Sequence, residues 1–322
     1  MILTVLLFIV GLICLVKGGD WFVDGATNFA RRLHLPEILV GATVVSIGTT
    51  LPEVMVSATS AATGHGDLAY GNAIGSIICN TALIAAITMA IRPSKIDRKS
   101  LVVPSIAFFT AAAVYMAVSY LSGYFSRFLG IVLLLMFCVY IFISVKQSLK
   151  QYRSAVNEPA EEKKLIPVGK MILFLLLGAA LIAVGARLLV DNGTKIAVAL
   201  GVPESVVALT MVALGTSLPE LVTAITSLAK GHSELSVGNI IGANLFNLVL
   251  VGGLSITISP FEIPSQKTLG GINSALVVDL PLMLATMLIM IVPALTGKRL
   301  YRWQGLLLLA LYAGFVVYQF TV

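Results

Sequence analysis

Runs of about 20 predominantly apolar residues recur from one end of this chain to the other, each long enough to cross a hydrocarbon core of about 30 Å. An integral membrane protein is the only class that uses such runs in series, and no stretch is left over for a soluble domain. Composition agrees. Of the 322 residues 58% are hydrophobic and 11% charged, with a mean hydropathy of +1.00, where a soluble domain carries roughly a quarter of its residues as charges. Disordered, fibrous and disulfide-scaffold chains are excluded on the same grounds. Cys14, Cys79 and Cys138 stand singly in apolar segments and read as small buried hydrophobes.

Apolarity bounded by charge, Pro or Gly predicts ten spans, near 2–31, 37–62, 67–91, 101–120, 127–147, 168–198, 204–229, 235–258, 272–293 and 303–321. No basic segment precedes the first, and the second follows closely, so a retained helix is expected rather than a cleaved signal. With the N terminus outside, 16 of the 21 Lys and Arg residues fall on cytoplasmic loops, which is the orientation the positive-inside rule selects. The net charge of +6 therefore reports topology rather than affinity for nucleic acid. Both termini are expected outside, and the polar stretch Gln147 to Lys164 is read as a solvated cytoplasmic linker dividing the chain.

A shift of 167 positions aligns Val23–Asn80 with Val190–Asn247 without a gap, and 26 of the 58 pairs are identical. Asp24 matches Asp191, Pro36 matches Pro203, Glu53 matches Glu220, His65 matches His232 and Asn80 matches Asn247. Each copy holds five spans, so the second must enter the membrane from the opposite side. Inverted repeats of this kind mark transporters, because two equivalent halves meeting at the midplane allow two near-equivalent packings, one open to each side.

The polar residues concentrate where the copies agree best. The second span carries Ser46, Gly48, Thr49, Thr50, Leu51, Pro52 and Glu53, and the seventh carries Ala213, Gly215, Thr216, Ser217, Leu218, Pro219 and Glu220. A carboxylate at the centre of a span costs about 3 kcal/mol on insertion scales, so two at matched depth imply an interior position and a purpose. Pro52 and Pro219 are expected to kink their helices by clashing with the carbonyls of Gly48 and Gly215, turning the Thr49 and Thr216 carbonyls inward. The third and eighth spans add Asn72, Ser76 and Asn80, and Asn239, Ala243 and Asn247, each set on one helical face. Gly71 with Gly75 and Gly238 with Gly242 permit close helix approach.

Hard cations take oxygen ligands. Two bidentate Glu and two Thr carbonyls would supply the roughly six that Ca2+ accepts, and two negative charges would neutralise it. Transition metals would call for His or Cys, and His34, His65 and His232 all fall at span ends. Glu37 and Glu204, after Pro36 and Pro203, read as helix starts with Pro at the first position, and Lys17 and Asp20 as a pair. Asp279 is read as structural.

Both G-T-[TS]-L-P-E motifs, both G-N-x-[I]-G motifs and the five-plus-five duplication resemble the cation/Ca2+ exchanger superfamily, most closely its prokaryotic Na+/Ca2+ exchanger branch. The likeness covers nearly the whole chain. It implies an all-α membrane protein of ten transmembrane helices in two inverted five-helix repeats, 1–150 and 168–322, joined by a cytoplasmic linker at 151–167. It also implies a secondary antiporter of the prokaryotic inner membrane, not an enzyme, whose first and sixth helices slide. Carried over by motif, Glu53, Glu220, Thr49 and Thr216 would hold Ca2+. Ser46, Thr50, Ser76, Asn80, Ala213, Ser217 and Asn247 would complete the Na+ sites. Asn247 stands where some relatives have Asp, so two carboxylates are left. The resemblance implies Ca2+ and Na+ as substrates, no resident cofactor, no nucleic acid and no protein partner beyond the bilayer. H+/Ca2+ exchange is the nearest alternative, and the hydroxyl and amide ligands favour Na+ over protons. An intramembrane hydrolase lacks its motifs, with no H-E-x-x-H, no Ser beside an in-membrane His and no Asp dyad.

Overall fold

The computed structural model describes residues 1–155, 165–200, 213–265 and 267–321. The long helices are α1 (Ile2–Arg32), α2 (Glu37–Ala62), α3 (Gly66–Ile91), α4 (Arg98–Leu121), α5 (Arg127–Ala155) and α6 (Val168–Ala199). They are followed by α7 (Leu218–Ala229), α8 (Ser233–Ile258), α9 (Ala275–Gly297) and α10 (Arg302–Thr321). Among the described residues eight of these, all but α7 and α10, are long and apolar enough to cross a membrane. The start of the expected seventh span, with Pro203 and Glu204, lies outside the described residues. So does most of the expected linker, 156–164, although α5 continues as helix to Ala155, well past the expected end at 147.

The helices differ in how much of themselves they hide. The most apolar windows of α8, α3 and α2 are 83%, 72% and 56% buried, against 22% for both α1 and α6. Since α1 and α6 are the more hydrophobic, their apolar surface faces lipid, while the polar-bearing helices form the interior. Pro36 and Pro167 hold extended backbone one residue before α2 and α6, so they sit at the cap and not at the first helical position. Asp97 caps α4 by accepting from the Lys99 and Ser100 backbone N–H groups at 3.2 Å each and from the Ser100 hydroxyl at 2.6 Å. Burial acts to raise the Asp97 pKa, but those hydrogen bonds outweigh it and the carboxyl is held below its usual range.

α1 and α6 pack along a glycine seam in antiparallel order. A methyl added to Gly11 would come 3.0 Å from the Gly185 carbonyl oxygen, and one on Gly18 would come 2.9 Å from that of Gly178. Under the 167-residue shift Gly11 corresponds to Gly178 and Gly18 to Gly185. Each contact is therefore the other's image. Short clasps at the helix ends obey the same exchange. Strands β1 (Tyr124–Phe125) and β2 (Phe261–Glu262) pair antiparallel, joining the α4–α5 loop to the α8–α9 loop. At the opposite end Lys95 bridges Arg299, joining the α3–α4 loop to the α9–α10 loop. Arg127 donates to the Thr257 and Ile258 carbonyls at the end of α8, and Arg302 donates to those of Ala90 and Ile91, the matching positions of α3.

Two features of the ends were not expected. A second hairpin, β3 (Thr268–Leu269) with β4 (Ile272–Asn273), precedes α9. Asp20 pairs not with Lys17 but with Lys230, at 3.4 Å, and Lys230 also reaches Asp24 at 2.8 Å. Nearby, His232 Nδ1 meets Glu37 Oε1 at 2.8 Å. These contacts lie at the end that also carries Arg92, Lys95 and Arg302, referred to below as the cation-rich end.

Candidate ion-binding site

Glu53 on α2 and Glu220 in the first turn of α7 are fully buried, and among the described residues none of their four carboxylate oxygens has a hydrogen-bond partner. The two carboxylates lie within electrostatic reach of each other. Around them, both side-chain amide atoms of Asn80 and of Asn247 and the hydroxyls of Thr50 and Ser217 are equally unpartnered, each residue no more than 1% exposed. Native proteins pair nearly all buried polar atoms, and each one left unpaired costs about 1–3 kcal/mol. A cluster of such atoms, rich in oxygen and carrying two carboxylates, is the donor set of a hard cation.

The frame that holds this cluster is hydrogen-bonded across the duplication. Thr49 Oγ1 donates to Asn239 Oδ1 at 3.1 Å, and Thr216 Oγ1 donates to Asn72 Oδ1 at 3.2 Å. These are the same contact made twice, each threonine of one copy held by the asparagine of the other. Asn72 Nδ2 also donates to Ser57 Oγ at 2.8 Å and to the Glu53 carbonyl at 3.3 Å. Ser46 donates to the Asn239 carbonyl at 2.9 Å and to that of Gly41 at 2.8 Å. Backbone approach makes these bonds reachable: side chains at Gly41, Gly238 or Gly242 would collide with α8 or α2 backbone. Behind the frame, Tyr140 donates to the Ala42 carbonyl at 2.8 Å.

Single π-helical turns adjoin the cluster in three places, at Gly41–Val45 before Ser46, at Asn80–Ala85 and at Asn247–Val251. In α3 and α8 the turn begins on the asparagine itself, so the change of helical register re-aims that side chain, a common device at functional sites. The two prolines sit in different local structure. α2 continues through Pro52 from Ser46 to Ala62, its irregularity lying one turn earlier in the π segment. The second copy is interrupted at Ser217, between a helical turn Ala213–Thr216 and α7. Pro219 then occupies the first turn of a new helix, where a missing N–H costs nothing, whereas Pro52 is interior.

Of the residues expected to act here, Ser46, Thr49, Thr50, Glu53, Ser76, Asn80, Ser217, Glu220 and Asn247 are all buried, each at most 3% exposed. Thr216 is half-buried. Ala213 is placed by its backbone alone, its side chain being outside the described residues. His65 and His232 cap helices and His34 ends one, all away from the cluster. No group of three or more His, Cys, Asp or Glu occurs among the described residues. The spacing places Asn72 and Asn239 on a shared face with Asn80 and Asn247; it does not show that they are the ties that hold Thr216 and Thr49. The signal was present in the repeated Gly-Asn pair, whose asparagine lies eight residues, two turns, before the orphaned one.

A family model for sodium/calcium exchanger proteins matches residues 3–146 and 170–321. The chain belongs to the sodium/calcium exchanger family. This exchanger is 39% identical over 272 residues to the inner membrane protein YrbG of Escherichia coli, covering 82% of each chain. It is 29% identical to the sodium/calcium exchanger MaX1 of Methanosarcina acetivorans, over 98% of each. Among solved structures, it superposes on the sodium-calcium exchanger NCX_Mj soaked with Na+ and Sr2+ with a TM-score of 0.80 and 31% identity, covering 98% of both chains. The exchanger is thus a multi-pass membrane protein of an ion-transporting family, with an all-α fold shared with NCX_Mj.

Proposed function

We propose that this exchanger is a secondary antiporter that moves Ca2+ against Na+ by alternating access at the Glu53–Glu220 cluster. One observation carries the reading: four carboxylate oxygens, fully buried at matched positions of the two copies, have no hydrogen-bond partner among the described residues. In this reading Glu53 and Glu220 are the charged Ca2+ ligands, and the carbonyls of Thr49 and Thr216 complete about six oxygens. Na+ occupies overlapping sites drawing on Ser46, Thr50, Ser76, Asn80, Ser217, Asn247 and the Ala213 backbone. Competition follows from charge. Two carboxylates balance one Ca2+ or two Na+, and a third Na+ leaves the loaded site with net charge +1.

The mirrored contacts support an inverted arrangement of two five-helix repeats. The glycine seam, the loop clasps, the arginine caps and the Thr–Asn ties all recur when the copies are exchanged. An exchange of packing between the copies would open the site to the other side without inventing new contacts. α1 and α6 are suited to the moving part. Glycines let the two backbones approach closely along their seam, and little of their surface is tied to the core.

The test is radioactive Ca2+ uptake into proteoliposomes under an imposed Na+ gradient and, in separate vesicles, under a pH gradient. Na+-driven uptake is the expected result. Uptake driven by pH alone would make this an H+/Ca2+ exchanger, and labelling of single cysteines placed near each terminus in right-side-out and inverted vesicles tests the proposed orientation, with both termini outside.

A further inference from the structure

Buried Ser and Thr hydroxyls in membrane helices usually spend their proton on the carbonyl four residues back. Thr27, Thr81, Ser105, Ser119 and Ser255 do so here. Thr223, Ser227 and Ser236 do not. Each is at most 1% exposed, and none of the three hydroxyls has a hydrogen-bond partner among the described residues. Thr223 and Ser227 follow Glu220 by three and seven residues, so they continue its face of α7 for about 10 Å toward the helix end. Ser236 stands across the tight α7–α8 turn, in which His232 N–H donates to the Ser227 carbonyl at 2.7 Å. It lines a cleft of about 10 Å³ with Leu228, Ser233, Thr88, Ser94 and Arg92, room for about one water. Arg92 donates to the Leu228 carbonyl at 3.2 Å across that cleft.

We propose that Thr223, Ser227 and Ser236 form the route by which the transported cation passes between the carboxylate pair and the cation-rich end. The identity of the ion rests on the exchange reading above; the route does not. Neutral hydroxyls suit the task, because their lone pairs replace part of the hydration shell while binding less firmly than carboxylates, and a path must release what it admits. Duplication does not account for the row. The matching positions in the first copy are Val56, which is 42% exposed, Ser60, which is half-buried, and Ala69. Two of the three hydroxyls therefore belong to the second copy alone, and they lead to one face only. In this conformation Arg92 shuts the mouth.

The experiment uses the full chain with Cys14, Cys79 and Cys138 replaced, in oriented vesicles during turnover, and a cationic, membrane-impermeant methanethiosulfonate reagent. Ser227→Cys is expected to react at least ten-fold faster from the cation-rich end, with Lys95→Cys marking that end and Leu269→Cys the other. Thr223→Val with Ser227→Ala is expected to lower Ca2+ flux at least five-fold while equilibrium Ca2+ binding stays within two-fold. Ser119→Ala, removing an equally buried but bonded hydroxyl, should leave flux within two-fold. A Ser227→Cys thiol that is inert from the cation-rich end, or that reacts faster from the other, overturns the route, as does parental flux in the double variant. Should the double variant not fold, the labelling alone decides. Absence of Na+-driven flux in the parent, with Ser227→Cys still reacting from the cation-rich end, would reject the exchange reading and leave the route standing.

Discussion

Replacing Glu53 by Gln removes one of two buried carboxylates, and the sign of the stability change separates an ion ligand from a structural acid. A buried charge held by a partner destabilises the fold by about 3–5 kcal/mol when the pair is broken. Glu53 has no such partner, and Glu220 is its charged neighbour. Carboxylates arranged to share one cation stand roughly 5 Å apart, so at an effective dielectric of about 20 their repulsion is about 3 kcal/mol. With both carboxylates ionised, Glu53→Gln should stabilise the ion-free protein by at most about that amount, which at about 2–4 °C per kcal/mol is an upward melting shift of at most about 6–12 °C. Ca2+ should act oppositely on the two proteins. At 100 times its dissociation constant it stabilises the parent by about 2.7 kcal/mol, and the variant should gain none of this. Thermal unfolding of detergent-solubilised protein at pH 8.5, in choline buffer with chelator and then with Ca2+, measures both. A variant that melts lower than the parent without ions, or that keeps the Ca2+ shift, would refute the assignment.

Asn239→Ala deprives both Thr49 and Ser46 of a partner side chain, and at about 1–3 kcal/mol per buried bond lost it should weaken Na+ and Ca2+ binding together by at least ten-fold in isothermal titration. Gly18→Ala inserts a methyl 2.9 Å from the Gly178 carbonyl, so overpacking of about 1–3 kcal/mol should slow Ca2+ flux in proteoliposomes while equilibrium binding is preserved. Lys230→Met breaks the contacts to Asp20 and Asp24, which are partly exposed and worth about 0–1 kcal/mol. It should shift the balance of the two packings less than about five-fold, read as thiol accessibility at position 227.

The spans were legible because lipid imposes one long apolar signal per helix, and eight of the ten expected segments match helices with both boundaries within about four residues. The carboxylates were legible for the opposite reason: Glu53 and Glu220 violate that signal twice at one spacing. What stayed hidden depends on partners distant in sequence. Nothing near Lys17 indicates that Asp20 will choose Lys230, 210 residues on. The matching Pro52 and Pro219 gave no hint that one would lie inside a continuous helix and the other in the first turn of a new one, because that difference is set by packing around each. The π turns at Asn80 and Asn247 were invisible as well, since one added residue per turn leaves no mark in an apolar run.

In the proposed cycle the duplication supplies two packings of similar energy, and the departures from it would decide which is favoured. Where the copies agree, as in the Thr49–Asn239 and Thr216–Asn72 ties, a contact survives the exchange and contributes equally to both states. Where they differ, it counts in one state only. Lys230 grips Asp24 at 2.8 Å, but its counterpart is Thr63, and the aspartate matching Asp24 is Asp191, which pairs with its helical neighbour Arg187 at 3.6 Å in exposed surroundings. Exchanging the packings therefore breaks an ion pair between helices and forms none in return. The same end carries the three unpartnered hydroxyls and the Arg92 contact to the Leu228 carbonyl, again without a full counterpart. In the proposed cycle this conformation is closed at the cation-rich end by contacts between the copies, Lys230 with Asp20 and Asp24 and Arg92 with the Leu228 carbonyl, and the bias between the two states would then lie in the positions where the repeats disagree.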